Sequence, residues 1–357
     1  LPRAIDIAES QADAIGNGSA SFDGSTDYIE IADSDVLDAR LSWTLSAWIK
    51  LGSGTSSFDR ILGKQTTGGQ CNYGIGLENG TDFGVFINDG NGFNDLYHAT
   101  DLAVGEWVHG VGTWDGSYLK VYLNGILVGT SGDLSSSNAS VVNTAPVLIG
   151  RNDTGGDQYF KGNLSQVGIW QGELTQAQIQ SLMESTSYAK IPADVKSTLG
   201  TSLFDAKPNI KDNWSLYTNN ERDNTDNGVV ITRPAGTGDA RGALYTVSGA
   251  SNDKLYKLQY DAYYVGTDTT MRLVYQVDGV SNYSEYFTTT STTYTYYFIY
   301  TGATYLLFNN MDAGNSIYVE NISLKEVTCD LVAYYPLDAD NSANGVTNDV
   351  TTGEVLG

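Results

Sequence analysis

The chain has 357 residues, and its 42 acidic against 19 basic side chains give a net charge of -23, which repels a phosphate backbone and argues against nucleic acid as partner. Forty Gly and 24 Tyr with only six Pro and three Met make the composition of short strands joined by polar turns, long enough for two domains. No apolar run approaches a membrane span, so membrane insertion is not expected.

In chain order, a short strand from Ala4 to Ile7 precedes a series of strands. These read as Ala20 to Phe22, Tyr28 to Ile31, Trp43 to Leu51, Arg60 to Lys64, Tyr73 to Glu78 and Asp82 to Ile87, with Gly, Asn and Asp between them. The stretch from Gly105 to Gly129 then predicts a three-stranded meander, with turns at Asp115-Gly116 and Asn124-Gly125. Asn-Gly suits a two-residue type I′ turn, because both central residues need positive φ. That turn sets Leu123 opposite Ile126 and Val121 opposite Val128, so Leu119, Val121, Leu123, Ile126 and Val128 share a core face while Tyr118, Lys120 and Tyr122 face water. Val147 to Gly150 and Gly162 to Trp170 close the series.

Trp107-Val108-His109, Asp115-Gly116 and Leu123-Asn124-Gly125, together with Phe22-Asp23-Gly24, Trp43 to Ile49 and Phe160 to Trp170, resemble the laminin-G-like or pentraxin-like jelly rolls of concanavalin A type. The resemblance covers roughly residues 15 to 186 and implies a two-sheet sandwich with a short helix after its last strand. Thr175 to Glu184 fits that helix, with a capping box between Thr175 and Gln178 and an apolar face of Ile179, Leu182 and Met183. The first domain is thus expected over 1–187 and an extended linker around Pro192 over 188–200.

A second β domain is expected over 201–328, from strands at Leu255 to Tyr264, Met271 to Val277, Thr293 to Tyr300, Tyr305 to Phe308 and Ile317 to Val327. Its opening around Trp214 and its ending, Tyr318 to Val327, resemble carbohydrate-binding jelly rolls appended to glycosidases and found in phage virion proteins. Residues 329–357, from LVAYYPL onward, resemble the first strand and loop of a further or shared laminin-G-like sandwich, expected to pair within its own chain or a neighbour's. The fold class is therefore all-β, with two antiparallel β-sandwich (jelly-roll) domains.

Catalysis finds little footing. His109 lies within a strand and reads as structural, and Glu221 to Asp226, the string nearest to a glucanase carboxylate pair, reads as a solvated loop, so the chain is expected not to be an enzyme. Cys71 and Cys329 read as buried small hydrophobes rather than a bridge. The pentraxin resemblance implies calcium ligands at Asn152, Asp153 and Asp157, with Gln70 and Asn72, whereas Ser165 and Gln166 stand where many relatives carry acids. Asp23 is a further candidate, and Glu320 stands where the second resemblance has an Asp that holds a structural ion.

Aromatic platforms for sugar rings are sought at Tyr73, Tyr97 and Tyr159 in the first domain and at Trp214 and Tyr217 in the second, with Tyr283 and Tyr286 similarly placed. The resulting expectation is a virion structural or adhesion protein, such as a tail fibre, spike or capsid decoration. It would bind surface glycans at the virion surface or outside the cell, as a homo-oligomer or with virion assembly partners. The alternative is a secreted bacterial glycan-binding protein or the accessory modules of a glycoside hydrolase.

Overall fold

The computed structural model describes residues 18–337 apart from 56–57, 67–70, 89–91, 136–141, 153–157, 205–213, 218–219, 236–241, 278–279, 303 and 310–311. The expected strand at Ala4 to Ile7 lies outside the described residues. Two compact units divide the chain, one holding residues up to Thr198 together with those from Thr328, the other running from Leu199 to Val327.

The first unit is a sandwich of two antiparallel sheets. One sheet contains β1 (Ala20–Asp23), β3 (Trp43–Leu51), β8 (Trp107–Trp114), β9 (Leu119–Leu123), β10 (Ile126–Thr130) and β12 (Lys161–Gln171), in the order β10-β9-β8-β3-β12, with β1 also on β12. The other runs β2-β11-β4-β5-β6-β7, from β2 (Ile29–Ile31), β11 (Val147–Ile149), β4 (Arg60–Gln65), β5 (Cys71–Glu78), β6 (Asp82–Asn88) and β7 (Phe93–Asp101). The inner faces supply the core, including Leu45, Ile49, Ile75, Phe83, Val85 and Val121, each at most 1% exposed. A methyl on Gly112 of β8 would press into Ile75 and Val85 of the opposite sheet, so this glycine sets how closely the layers approach.

The Asn124-Gly125 turn forms as expected, with φ of 48° and 74° and Ile126 opposite Leu123. Beyond it the register departs from expectation. A bulge after Leu127 sets Gly129, not Val128, opposite Val121. Because β10 is the sheet's edge strand, Ile126 is exposed and Leu123 only half-buried. Tyr122, expected in water, is buried instead.

The reason is a second apolar layer on the outer face of this sheet. Helix α1 (Gln176–Met183), with its Thr175–Gln178 capping box, and the segments on either side of it bring Leu174, Ile179, Leu182, Ile191 and Val195 against Val111, Tyr122 and Trp170. The expected extended linker is thus a turn at Tyr188–Lys190 and a short helix α2 (Ala193–Lys196), held by burial of Ile191 and Val195 and by the Trp170 indole donating to the Val195 carbonyl at 2.8 Å.

The second unit pairs two further sheets. The first holds β15 (Glu221–Asn224), β16 (Gly228–Arg233), β18 (Lys254–Val265), β21 (Thr292–Tyr300) and the beginning of β23 (Asn315–Tyr335). The second runs β14 (Trp214–Leu216), β17 (Ala243–Thr246), β22 (Thr304–Asn309), β19 (Arg272–Val277) and β20 (Val280–Tyr283). The short strand β13 (Ser197–Leu199) also pairs with β23. Glu221 to Asn224, expected as a solvated loop, forms an edge strand because its backbone pairs with Val229 to Thr232.

The end of β23 belongs to the first unit, where Asp330 to Tyr335 pair with Gln171 to Val167 of β12. The strand therefore completes a sandwich of its own chain. Burial does not alternate along it: Leu331, Val332, Ala333, Tyr334 and Tyr335 are all buried, since Leu331 and Tyr334 join the outer apolar layer. Cys71 and Cys329 are both buried and free, as expected.

Candidate functional site

The two sheets of the first unit differ in what covers their outer faces. On the second sheet, Leu62, Ile75, Val85 and Ile87 turn inward, so alternation sends Gly63, Gly74, Gly76, Gly84 and Phe86 outward. Register aligns Glu30, Leu148, Gly63, Gly74, Phe86 and Asp95 across all six strands, with Arg60, Gly76, Gly84 and Tyr97 in a neighbouring row. A methyl on Gly74 would run into the Phe86 ring, and one on Gly84 into Tyr97. The glycines therefore form a floor on which two aromatic rings lie.

Over that floor sits Arg60, only 6% exposed, its guanidinium carbon 4.0 Å from the Phe86 ring centre and its Nη1 donating to the Tyr97 hydroxyl at 3.1 Å. Burial pushes the Tyr97 phenol above its ordinary range, against the opposing pull of Arg60. Phe93, largely exposed, stacks beside Phe86 with centroids 5.7 Å apart. Further along, Arg151 lies over Tyr28 at 4.7 Å and Tyr159 at 5.3 Å.

Arg60, Gly63, Gln65, Phe86, Leu148, Arg151 and Asn152 line one cleft on this face. Four polar atoms of its lining are buried without a hydrogen-bond partner among the described residues: Arg60 Nε, Gln65 Oε1, Arg151 Nε and Asn152 Oδ1. Two donors and two acceptors left dry in one cleft would each cost free energy on the order of 1–3 kcal/mol. They make this cleft the polar part of the sheet's outer face.

The sequence-derived site residues divide sharply. Tyr97 belongs to this cleft's aromatic floor and Tyr159 to its Arg151 flank. Tyr73 and Trp214 do not serve as platforms, because both are fully buried. The Tyr73 hydroxyl donates to the Leu37 carbonyl at 2.9 Å, and Trp214 stacks on Phe308 in the second core. Tyr217 is half-buried beside the Gly242 backbone, which accepts its amide hydrogen.

For calcium, the described donors do not fit. The Asp23 carboxylate already accepts from Ser25, Thr26 and Asp27, and these bonds, led by the Thr26 amide, hold it well below the usual range. Asp23 is a turn residue. Asn72 spends both amide atoms on the Ala39 backbone, and Asn152 donates to Gln158. Glu320 lies opposite Asp261, whose oxygens are taken by Thr293 and Asn321. No group of three metal-binding side chains occurs among the described residues. Gln70, Asp153 and Asp157 lie outside them.

His109 is buried 2.8 Å from the Ser46 hydroxyl, its ring against Trp48, and burial lowers its pKa to about 3. The Ser–His contact has no solvent access, since Ser46 is 1% and His109 2% exposed.

In the second unit, Leu273, Leu306 and Phe308 face the core, which turns Arg272, Val274 and Leu307 outward. There the Arg272 guanidinium carbon lies 4.1 Å from the Tyr283 ring and 5.1 Å from Tyr286, and both rings are half exposed. Leu244, Leu307, Val274 and Tyr283 align across the sheet beside them.

Comparison with known proteins agrees with the first fold. Residues 23–180 match the family model described as the concanavalin A-like lectin/glucanases superfamily. Pappalysin-1 of Mus musculus is 24% identical over 163 residues, 41% of this chain, and the match spans 10% of that protein's length. Among solved structures, a heptameric SAP-like pentraxin from Limulus polyphemus is 19% identical, covering 47% of this chain and 82% of that one with a TM-score of 0.36. Domain 4 of AbnA, an extracellular arabinanase of Geobacillus stearothermophilus in complex with arabinotriose, is 22% identical, covering 46% and 76% with a TM-score of 0.36.

The glycine floor has a signature in the sequence. In Asn72-Tyr73-Gly74-Ile75-Gly76-Leu77, glycine occupies successive outward positions of one strand, a pattern that strips the outer face of side chains. Arg60 and Arg151 carry no such local signal.

Proposed function

We propose that the chain is a non-enzymatic glycan-binding adhesion protein, displayed on a virion or in the extracellular space, whose first sandwich binds sugar in the cleft between Arg60 and Asn152. The observation that carries this is the set of unpartnered buried atoms beside flat aromatic rings. Sugars present hydroxyls that both donate and accept, and apolar ring faces that stack on aromatic surfaces. The lectin/glucanase description of the matched family model supports the same ligand class. Binding rather than cleavage is favoured by the cleft's lining, which contains two cations and two amides but no carboxylate pair.

A glycan array probed with the full chain, followed by reducing-sugar release on every glycan retained, tests this reading. Binding without release is expected. Release of sugar would overturn the non-enzymatic reading, and absence of binding would overturn the glycan reading. Mass spectrometry of purified virions against the secreted fraction of the source culture tests the location. Sedimentation measures the oligomer, proposed as a homo-oligomer or an assembly with virion partners.

A further inference from the structure

We infer that the cleft of the first sandwich selects an acidic glycan, with the sugar's acid group held by Arg60 and Arg151; this rests on the glycan reading above and names its ligand class. The chain carries more than twice as many acids as bases, yet neither arginine forms an ion pair among the described residues. By contrast, Lys64, fully buried in the same unit, contacts Asp33 and Asp38, and Lys120 contacts Asp115 and Glu173.

A guanidinium remains charged when buried, and a buried charge without a counter-charge is costly. Arg60 is as buried as a core residue, and among the described residues its guanidinium donates to a neutral phenol. Both guanidinium groups rest on aromatic rings, which satisfies their faces and leaves their N–H edges for a ligand. Each retains a buried Nε–H with no acceptor among the described residues. Carboxylate and sulfate both present planar pairs of oxygens to such edges. A bare anion would leave Gln65 Oε1 and Asn152 Oδ1 unanswered, since both are acceptors; sugar hydroxyls answer them. The exposed Glu30 and Asp95 end the row of residues crossing this face and disfavour acid groups placed away from the arginines.

The test is a titration of the full chain with oligosaccharides bearing uronate, sialate or sulfate groups, each beside its neutral counterpart of the same length. Acidic members are expected to bind at least tenfold more tightly, and comparison of the uronate and sialate arms with the sulfate arm identifies which acid is read. Arg151→Gln should bring acidic and neutral binding to within about twofold. Arg60→Lys, which keeps the charge but not the fork, should weaken the acidic preference while preserving the fold, checked by tryptophan fluorescence. Equal binding of neutral and acidic members would overturn the inference and leave the glycan reading standing, as would an Arg151→Gln protein that retains the preference. No binding to any member would overturn both.

Discussion

Asp38 is the clearest case in which the structure sets a pH dependence. Lys64 is fully buried in the first unit and is shared among Asp33 at 2.5 Å, the carbonyls of Asn143 and Ala145 at 2.7 and 2.8 Å, and Asp38 at 3.3 Å. The last contact lacks hydrogen-bond alignment, and Asp38 Oδ1 is left without a hydrogen-bond partner. Burial therefore outweighs the attraction of Lys64 and Arg40, and the carboxyl's pKa rises from 3.8 to about 6. A raised pKa means that the folded state holds the proton longer than the unfolded state, so Asp38's contribution to stability is fully present below pH 3.8 and is lost as pH rises through about 6. Two pH units at about 1.4 kcal/mol each give a loss of about 2–3 kcal/mol between pH 4 and pH 7. Asp38→Asn removes the titration. The assay is urea denaturation of both proteins from pH 4 to 7, followed by tryptophan fluorescence, to which the first unit contributes Trp43, Trp48, Trp107, Trp114 and Trp170. His109 titrates with the opposite sign: its lowered pKa makes stability fall as pH drops from 6.5 toward 3. That slope is common to both proteins and cancels in the difference. The wild type should lose its advantage over Asp38→Asn by about 2–3 kcal/mol across this range. A flat difference, or one that grows with pH, would refute the dominance of burial over the Lys64 attraction.

Three further outcomes are expected. Gly74→Ala places a methyl in the Phe86 ring, so it should cost about 1–3 kcal/mol in denaturation and abolish cleft binding even where the protein still folds. Gly125→Ala, at φ of 74° and with its new methyl 2.8 Å from Gln180 Cγ, should cost more than about 1 kcal/mol in the same assay without altering glycan binding. Truncation after Thr328 uncovers one side of β12 and removes the buried Leu331, Val332 and Tyr335, so the cooperative fluorescence transition should shift strongly downward; an unchanged midpoint would show that the final strand contributes nothing to the sandwich.

What the sequence revealed was what depends on local pattern. The Asn124-Gly125 turn needs positive φ at adjacent residues, the Thr175–Gln178 box needs two side chains three apart, and the all-β class follows from alternation and turn spacing. What it concealed depends on what lies across the fold. Tyr122 looked wet because strand alternation cannot show that Ile179 and Ile191 will cover its face. Ile126 looked buried because nothing local marks β10 as an edge. Tyr73 and Trp214 looked like platforms because aromatic residues near polar loops resemble binding residues until their rings are found in a core. Tyr97 lies on the aromatic floor of the cleft face, and its partner Arg60, 37 positions away, is brought to it only by strand pairing.

The difference between the two sheets of the first sandwich decides where binding takes place. On the sheet carrying β3 and β12, the outer face is occupied: α1 and α2 seal Tyr122 and Trp170, and His109 meets Ser46 with no access from solvent. A helical layer removes that face from recognition by satisfying it. On the opposite sheet, glycines at 63, 74, 76 and 84 lower the outer surface, and the rings of Phe86 and Tyr97 fill only part of the depth. A chain selected for stability alone would gain by replacing the arginines with neutral residues, since a buried cation without a counter-charge is costly. Two guanidinium groups without an ion pair among the described residues and two unanswered amide oxygens on one face are a stability cost that a ligand at this place can repay.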